Sequence, residues 1–283
     1  MREDARADIE RVVATMQDHL DAIKAHEPGV RAGADPEELH QMRTATRRLR
    51  ADLRAVRDVF DPDEVARLRA ELKWLGAALG AARDADVQHD YLRRLRRLTD
   101  AEKALVARVL QALERERART RTTVLAALDT ARYGRLLREL DALVQHPPVV
   151  AEDFALRDVA AAAFNKLRKT VADLPKTPSD RALHGVRLAV KRARYAGDLA
   201  TRGRHAQRFV AKAGELQDIL GEHQDASITE RRLREALSRA RGRPAGASVS
   251  RLLRRQQARR LAARKAFARQ WPKLERRGAR AWD

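Results

Sequence analysis

Apolar residues recur along this chain at helical spacing. Leu39, Met42, Thr46, Leu49, Leu53, Val56 and Phe60 stand three or four residues apart, and Leu183, Val186, Val190 and Ala193 repeat the pattern. That spacing places each set on one face of a helix. No stretch alternates apolar and polar residues over a useful length, and Ala, Leu, Arg and Glu dominate, so no strand is predicted. The expected helices are 4–26, 36–59, 62–79, 85–97, 100–130 and 133–144. A second series covers 153–173, 179–200, 204–220, 226–240 and 249–281, with a kink at Pro272.

Helix starts carry local signals. Asp35-Pro36-Glu37-Glu38 and Asp61-Pro62-Asp63-Glu64 each supply a capping residue, Pro at the first helical position and Glu at the capping-box position. Thr99-Asp100-Ala101-Glu102 is a third start. Gly80–Asp84 and Gly221–Asp225 read as stop and restart, with Gly ending one helix and Asp capping the next. Turns are expected near Pro175–Pro178 and Gly242–Gly246.

The two series align. Leu39-His40-Gln41-Met42-Arg43-Thr44-Ala45-Thr46-Arg47-Arg48-Leu49-Arg50 lies on Leu183-His184-Gly185-Val186-Arg187-Leu188-Ala189-Val190-Lys191-Arg192-Ala193-Arg194 at an offset of 144, and Asp35 falls on Ser179. Leu75, Leu79, Gly80, Asp84 and Ala85 fall on Leu216, Leu220, Gly221, Asp225 and Ala226 at an offset of 141. Two matches in the same order argue for a duplicated helical unit within one 283-residue domain, with repeats of about 1–147 and 148–283 and a boundary near His146–Val150.

Charge adds a partner class to this picture. The chain has 60 Lys+Arg against 40 Asp+Glu, a formal +20, and 50 of the basic residues are Arg. Arg presents a planar fork suited to phosphate and carboxylate, although a GC-rich genome would produce the same bias. Residues 231–283 carry 18 basic and 3 acidic residues, hence +15, yet Leu252, Leu253, Ala258, Leu261, Ala262, Phe267 and Trp271 keep helical spacing there. In that segment Arg254, Arg255, Arg259 and Arg260 are expected on or near an anion path, with Leu253, Leu261, Phe267 and Trp271 buried. The absence of Cys excludes disulfides, thiolate zinc sites and cysteine nucleophiles. The apolar runs are too short for a membrane span, and the charged N-terminus does not resemble a signal peptide, so a soluble cytoplasmic protein is expected.

Beside the first apolar seam runs a basic row: His40, Arg43, Arg47, Arg50, Arg54 and Arg57, spaced 3, 4, 3, 4, 3. His184, Arg187, Lys191 and Arg194 form the counterpart. Arg48 and Arg192 lie about 100° further round and can line its edge. Lys73 and Lys212 are placed on the following helix of each repeat. Like charges at this spacing destabilise an isolated helix by a few tenths of a kcal/mol per pair, and the nearby acids, Asp52, Asp58 and Asp198, are few. One such row is usually a solvated face, whereas its recurrence behind a His in both repeats favours an anion site.

His40 and His184 lack metal-ligand spacing, and the neighbouring Arg would repel a cation, so hydrogen bonding to an anion is expected and no cofactor or metal is called for. His19, His26, His89, His146 and His205 fit no repeat. No Walker loop, dinucleotide fingerprint, nucleophile elbow or acidic metal cluster is present, and no catalytic residue is assigned. With 4% aromatics, a stacking platform for single-stranded bases is poorly supplied.

On Leu39–Arg50, Leu183–Tyr195 and Glu215–Gly221 with Asp225, the sequence resembles the conserved histidine α-helical domain (CHAD) family over essentially the whole chain. The resemblance implies two helical bundles related by a pseudo-twofold axis, with a basic central groove or pore. It implies non-catalytic binding of inorganic polyphosphate and association with polyphosphate granules. The residues it implicates are His40, Arg43, Arg47, Arg48, Arg50, Arg54, Lys73, His184, Arg187, Lys191, Arg192, Arg194 and Lys212, to which the C-terminal charge adds Arg255 and Arg259. Nonspecific nucleic-acid binding is the competing expectation, because a +20 chain attracts any polyanion. Neither reading specifies an oligomeric state.

Overall fold

The computed structural model describes residues 3–151, 153–238 and 246–283, the side chains of 246–250 excepted. Among the described residues the chain is all helical apart from one isolated bridge, Phe60 to Val149. The helices are α1 (Glu3–Ala32), α2 (Pro36–Ala55), α3 (Pro62–Arg93), α4 (Asp100–Leu128), α5 (Ala131–Gln145), α6 (Leu156–Ala172), α7 (Asp180–Leu199), α8 (Gly203–Ser238) and α9 (Gly246–Trp282). No helix among the described residues is long and apolar enough to cross a membrane.

The sequence-marked starts are real caps. Asp35 Oδ1 accepts from the Glu37 amide at 2.8 Å and Asp61 Oδ1 from the Glu64 amide at 2.8 Å. Thr99 and Glu102 form a reciprocal capping box: the Thr99 amide donates to Glu102 Oε2 at 2.8 Å and the Glu102 amide to Thr99 Oγ1 at 3.4 Å. Ser179 Oγ accepts from the Ala182 amide at 3.1 Å. Glu38, at the capping-box position of α2, bonds His26 Nδ1 of α1 instead, at 2.8 Å. Beyond the end of α1, Gly33 takes φ 68°, and Arg121 donates to the carbonyls of Arg31 (3.0 Å) and Ala32 (3.1 Å). These oxygens are among those that a helix end leaves without partners.

Several expected breaks are absent. α3 runs through Gly80–Asp84 and α8 through Gly221–Asp225. Neither glycine has positive φ, so neither ends a helix. Each lies under an arginine: a β-carbon at Gly80 would be 3.6 Å from Arg43 Nε, and one at Gly221 3.9 Å from Arg187 Nη2, ordinary contact distances that a small side chain would also tolerate. α9, by contrast, runs through Pro272 to Trp282 as one helix, as expected. The turn at Pro175–Pro178 separates α6 from α7 as expected, whereas the turn at Gly242–Gly246 falls on residues 241–245, outside the described ones, and on the first residue of α9.

The chain divides into two compact units. One comprises Met1–Asp84, Arg117–Ala162 and Tyr195–Thr201; the other comprises Ala85–Glu116, Ala163–Arg194 and Arg202–Asp283. The division passes inside α3, α4, α6 and α7, not at His146–Val150. In the first unit α1 packs along α2 and against α5, with Met16, Leu20, Ile23, Met42, Leu49, Leu53 and Leu140 fully buried. The 148–150 segment is tied there to the α2–α3 connection, because the Asp61 amide donates to Pro148 O (2.9 Å) and the Val150 amide to Val59 O (2.8 Å).

In the second unit α8 packs on α9. Phe164 meets Phe209 edge-on at 5.6 Å, and Phe209 meets Trp282 at 5.7 Å. The buried side of α9 carries Leu252, Gln256, Ala263, Phe267, Leu274 and Trp282. Of the four residues expected to be buried, Phe267 is, Leu253 and Trp271 are half-buried, and Leu261 is 54% exposed. Gln256, bonded to Tyr91 Oη at 2.9 Å, occupies a buried place that hydrophobic spacing assigned to leucine.

α9 is held by carboxylates. Asp180, the first residue of α7, accepts from Arg260 Nη2 at 2.6 Å, Arg264 Nη2 at 2.7 Å and Ser227 Oγ at 2.8 Å. Burial alone would raise its carboxyl, but the Ser227 hydroxyl and the two guanidiniums override that and hold it down to about 2. Arg260 also bonds the buried Glu230 at 2.7 Å, and Arg251 clasps the buried Glu102.

Two expected outcomes follow from this packing. A β-carbon at Gly278 would lie 2.2 Å from Phe164 Cε2, so Gly278→Ala should destabilise by about 1–3 kcal/mol in urea unfolding, despite the roughly 1 kcal/mol that Ala gains over Gly in a helix. Asp180→Asn should cost about 1–2 kcal/mol near neutral pH. Because the folded Asp180 carboxyl titrates below its unfolded value, its contribution is present above about pH 4 and is lost as pH falls toward 2, so the variant's stability should vary less with pH across that window.

Candidate functional site

In the first unit, the capped start of α2 fixes the rotation of its basic row. Met42, Leu49, Leu53 and Val56 are buried, which turns His40, Arg43 and Arg47 to a half-buried flank and leaves Arg50, Arg54 and Arg57 exposed. Arg43 lies over the Gly80 backbone of α3 and meets the exposed Asp84 at 3.2 Å. Arg47 stands over the Tyr195 ring, 5.6 Å from its centroid. Burial, and then the charges of Arg83, Arg47 and Arg43, push the His40 imidazole below its usual range, with Glu37 opposing them. Its ring is therefore neutral at neutral pH and gains a proton readily only if an anion arrives.

Further along, Arg50 of α2 and Arg57, in the turn just beyond its end, act on Arg69 of α3, whose guanidinium is made less basic by burial and then by those two charges. Arg57 has the exposed Asp58 at 3.1 Å. Arg48 faces the other way, toward the buried Asp52, which hydrogen-bonds His19 Nδ1 at 2.6 Å. Lys73 is exposed on α3.

In the second unit, α7 repeats the arrangement. Leu183, Val186, Val190 and Ala193 are buried, while His184, Arg187, Lys191 and Arg194 are half-buried and Arg192 is exposed. Arg187 lies over Gly221 of α8. Arg194 lies over Gly214, where a β-carbon would be 3.6 Å from its Cζ. A glycine under an arginine thus recurs in each unit, Gly80 under Arg43 and Gly221 under Arg187.

The rows hold donors that the fold does not satisfy. Arg47 Nε, Arg48 Nε, Arg69 Nε and Arg187 Nε are buried without a hydrogen-bond partner, as is His184 Nδ1. Buried polar atoms are normally paired, so these nitrogens of α2, α3 and α7 mark places where an acceptor oxygen would be favourable; Arg260 Nε on α9 is likewise without a partner, but that guanidinium is held by carboxylates through its other nitrogens.

Three expected site residues are differently employed. Lys212 is buried and pairs with Glu215. Arg259 bonds Glu222 at 2.6 Å and Gln256 at 2.8 Å and stacks 4.1 Å over the Tyr91 ring. Arg260 is committed to Asp180 and Glu230. Arg254 and Arg255 are exposed on α9. Conversely, Arg83 and Arg69 belong beside the first row but were not singled out in the sequence. Reading α3 as one helix would have placed Arg83 one turn beyond Gly80, next to Arg43. Among the described residues, no group of three or more His, Asp or Glu is placed to hold a metal ion.

The fold has solved relatives. PptA from Streptomyces chartreusis superposes with a TM-score of 0.80 at 24% identity, covering 95% of this chain and 99% of that one. The CHAD domain from the plant Ricinus communis superposes with a TM-score of 0.74 at 27% identity, covering 94% of this chain and 90% of that one. No curated protein matches the sequence. The CHAD domain family model matches residues 14–234, which include both histidine-headed helices, and the chain therefore belongs to the CHAD domain family.

Proposed function

We propose that this protein binds inorganic polyphosphate without chemically altering it, through the basic rows of α2 and α7, and that this binding brings it to polyphosphate granules in the cytoplasm. The family to which it belongs is known for association with polyphosphate. The observation that carries the reading is the set of buried nitrogens without a hydrogen-bond partner on those rows: Arg47 Nε on α2, His184 Nδ1 and Arg187 Nε on α7. A phosphoryl oxygen supplies the acceptor these groups lack, and arginine forks grip such oxygens in pairs. His40, Arg43, Arg50, Arg54, Lys191, Arg192 and Arg194 supply the surrounding field. Arg83 and Arg69 join them, while Arg259 and Lys212 do not. A polyanion that neutralises a row releases its counterions, so affinity falls steeply with salt.

The decisive experiment compares two pairs of charge removals in a polyphosphate-binding titration at physiological salt, with duplex DNA as competitor. Arg43→Gln with Arg187→Gln should weaken polyphosphate binding by about tenfold or more, and Arg115→Gln with Arg117→Gln by less than about threefold. Equal losses for the two pairs, or DNA displacing polyphosphate at equal phosphate concentration, would replace this reading with diffuse attraction to any polyanion.

The second expectation concerns pH. The depressed His40 imidazole takes up a proton when a phosphoryl anion lies beside it, so binding is coupled to proton uptake. Polyphosphate affinity should therefore rise as pH falls from about 7 to about 5.5. In His40→Gln the affinity should be flatter across that range, as measured by titration calorimetry in buffers of different ionisation enthalpy.

A further inference from the structure

A second concentration of positive charge is made by residues that belong to neither row. His205 and Arg208, in the opening turns of α8, and Arg277 and Arg280, in the closing turns of α9, line one pocket within the second unit. Each pair is three residues apart, so its two members share a helix face. Arg277 Nη1 donates to the Arg208 carbonyl at 3.3 Å, which fixes the guanidinium at the pocket wall.

Every residue lining this pocket is a base. Glu275, two residues before Arg277, is not among the residues that line it, and two other nearby acids have partners of their own: Asp283 reaches Arg168 at 3.3 Å and Glu215 pairs with Lys212. Glu215 feels the charge of Arg277 without forming an ion pair with it. The first amides of α8 add to the positive field around His205 and Arg208. Three guanidiniums and an imidazole converging on a concave surface form a receptor for a compact, multiply charged oxyanion.

We propose that the His205–Arg208–Arg277–Arg280 pocket is a separate binding site for a small phosphate anion, orthophosphate or pyrophosphate in size. It uses no residue of the rows of α2 and α7 and does not depend on what those rows bind. Arg208 and Arg280 supply the main contacts through their exposed forks, Arg277 a fixed third, and His205 a hydrogen bond.

The test uses the full chain and pyrophosphate as the probe, followed by titration calorimetry and by ³¹P line broadening. Arg208→Gln with Arg280→Gln alters two exposed side chains, and far-ultraviolet circular dichroism before titration verifies that the fold is intact. The double variant should lose about tenfold or more in pyrophosphate affinity, whereas Arg43→Gln with Arg187→Gln, on rows that attract phosphate only diffusely at this size, should lose less than about threefold. No pyrophosphate binding by the wild type, an unchanged affinity in the Arg208/Arg280 variant, or equal losses in both variants would overturn the proposal. A parallel arm with long-chain polyphosphate identifies the source of the anion. An Arg208/Arg280 variant that loses pyrophosphate but not the long chain assigns the pocket to free anions; loss of both assigns it also to a chain's terminal phosphate. Because the row variant is titrated with both probes, failure of the polyphosphate reading and failure of this one give different patterns.

Discussion

Like-charge repulsion along α2 and α7 is the constraint on which the arrangement of this protein turns. An apolar seam buried on one side fixes the helix rotation, and the adjoining basic row is then carried to a half-buried flank. There the arginines cannot all relax into water. The fold accommodates them by laying Arg43 over Gly80 and Arg187 over Gly221, each guanidinium within van der Waals reach of the facing helix. What it does not do is neutralise them thoroughly. Arg43 has one exposed carboxylate at 3.2 Å, and Arg69 is less basic than usual because it is buried and because Arg50 and Arg57 crowd it.

α9 shows the opposite treatment of the same residue type. Arg251, Arg259, Arg260 and Arg264 each meet a carboxylate, and two of the acids, Glu102 and Glu230, are themselves buried. Removing either partner of such a pair leaves a charge in a poorly solvated place, so these contacts fix where α9 lies on α8 and beside the start of α7. The formal charge of the C-terminal segment therefore overstates what it offers to a ligand. Arginine as a packing device and arginine as a binding device are told apart by whether an acid of the same chain stands opposite.

That distinction marks the limit of what the sequence discloses. Caps at Asp35, Asp61, Thr99 and Ser179 are read correctly because each uses a partner two or three residues away. The rotation of α2 and α7 is legible because apolar and basic spacing run in parallel. Gly80 and Gly221 mislead because glycine before Asp imitates a helix end, while their purpose lies on another helix. Arg259 and Arg260 mislead for the same reason, since Glu222, Glu230 and Asp180 are 37, 30 and 80 residues away. Leu261 mislead by spacing alone: Gln256 takes a buried place because Tyr91 satisfies its amide, and the polar residue then hides the true seam.

Uncompensated rows also relate stability to binding. Like charges along each row raise the free energy of the empty fold by repulsion, and Arg47 Nε and Arg187 Nε add a buried donor without an acceptor. An anion that binds the folded state alone relieves both at once, so the terms that weaken the unliganded protein are the ones that favour the complex. A carboxylate placed opposite Arg47 or Arg187 would satisfy the same donors from within the chain. The thin supply of acids along α2 and α7, set against their abundance around α9, is best understood as a division between a face kept available and a face used for packing.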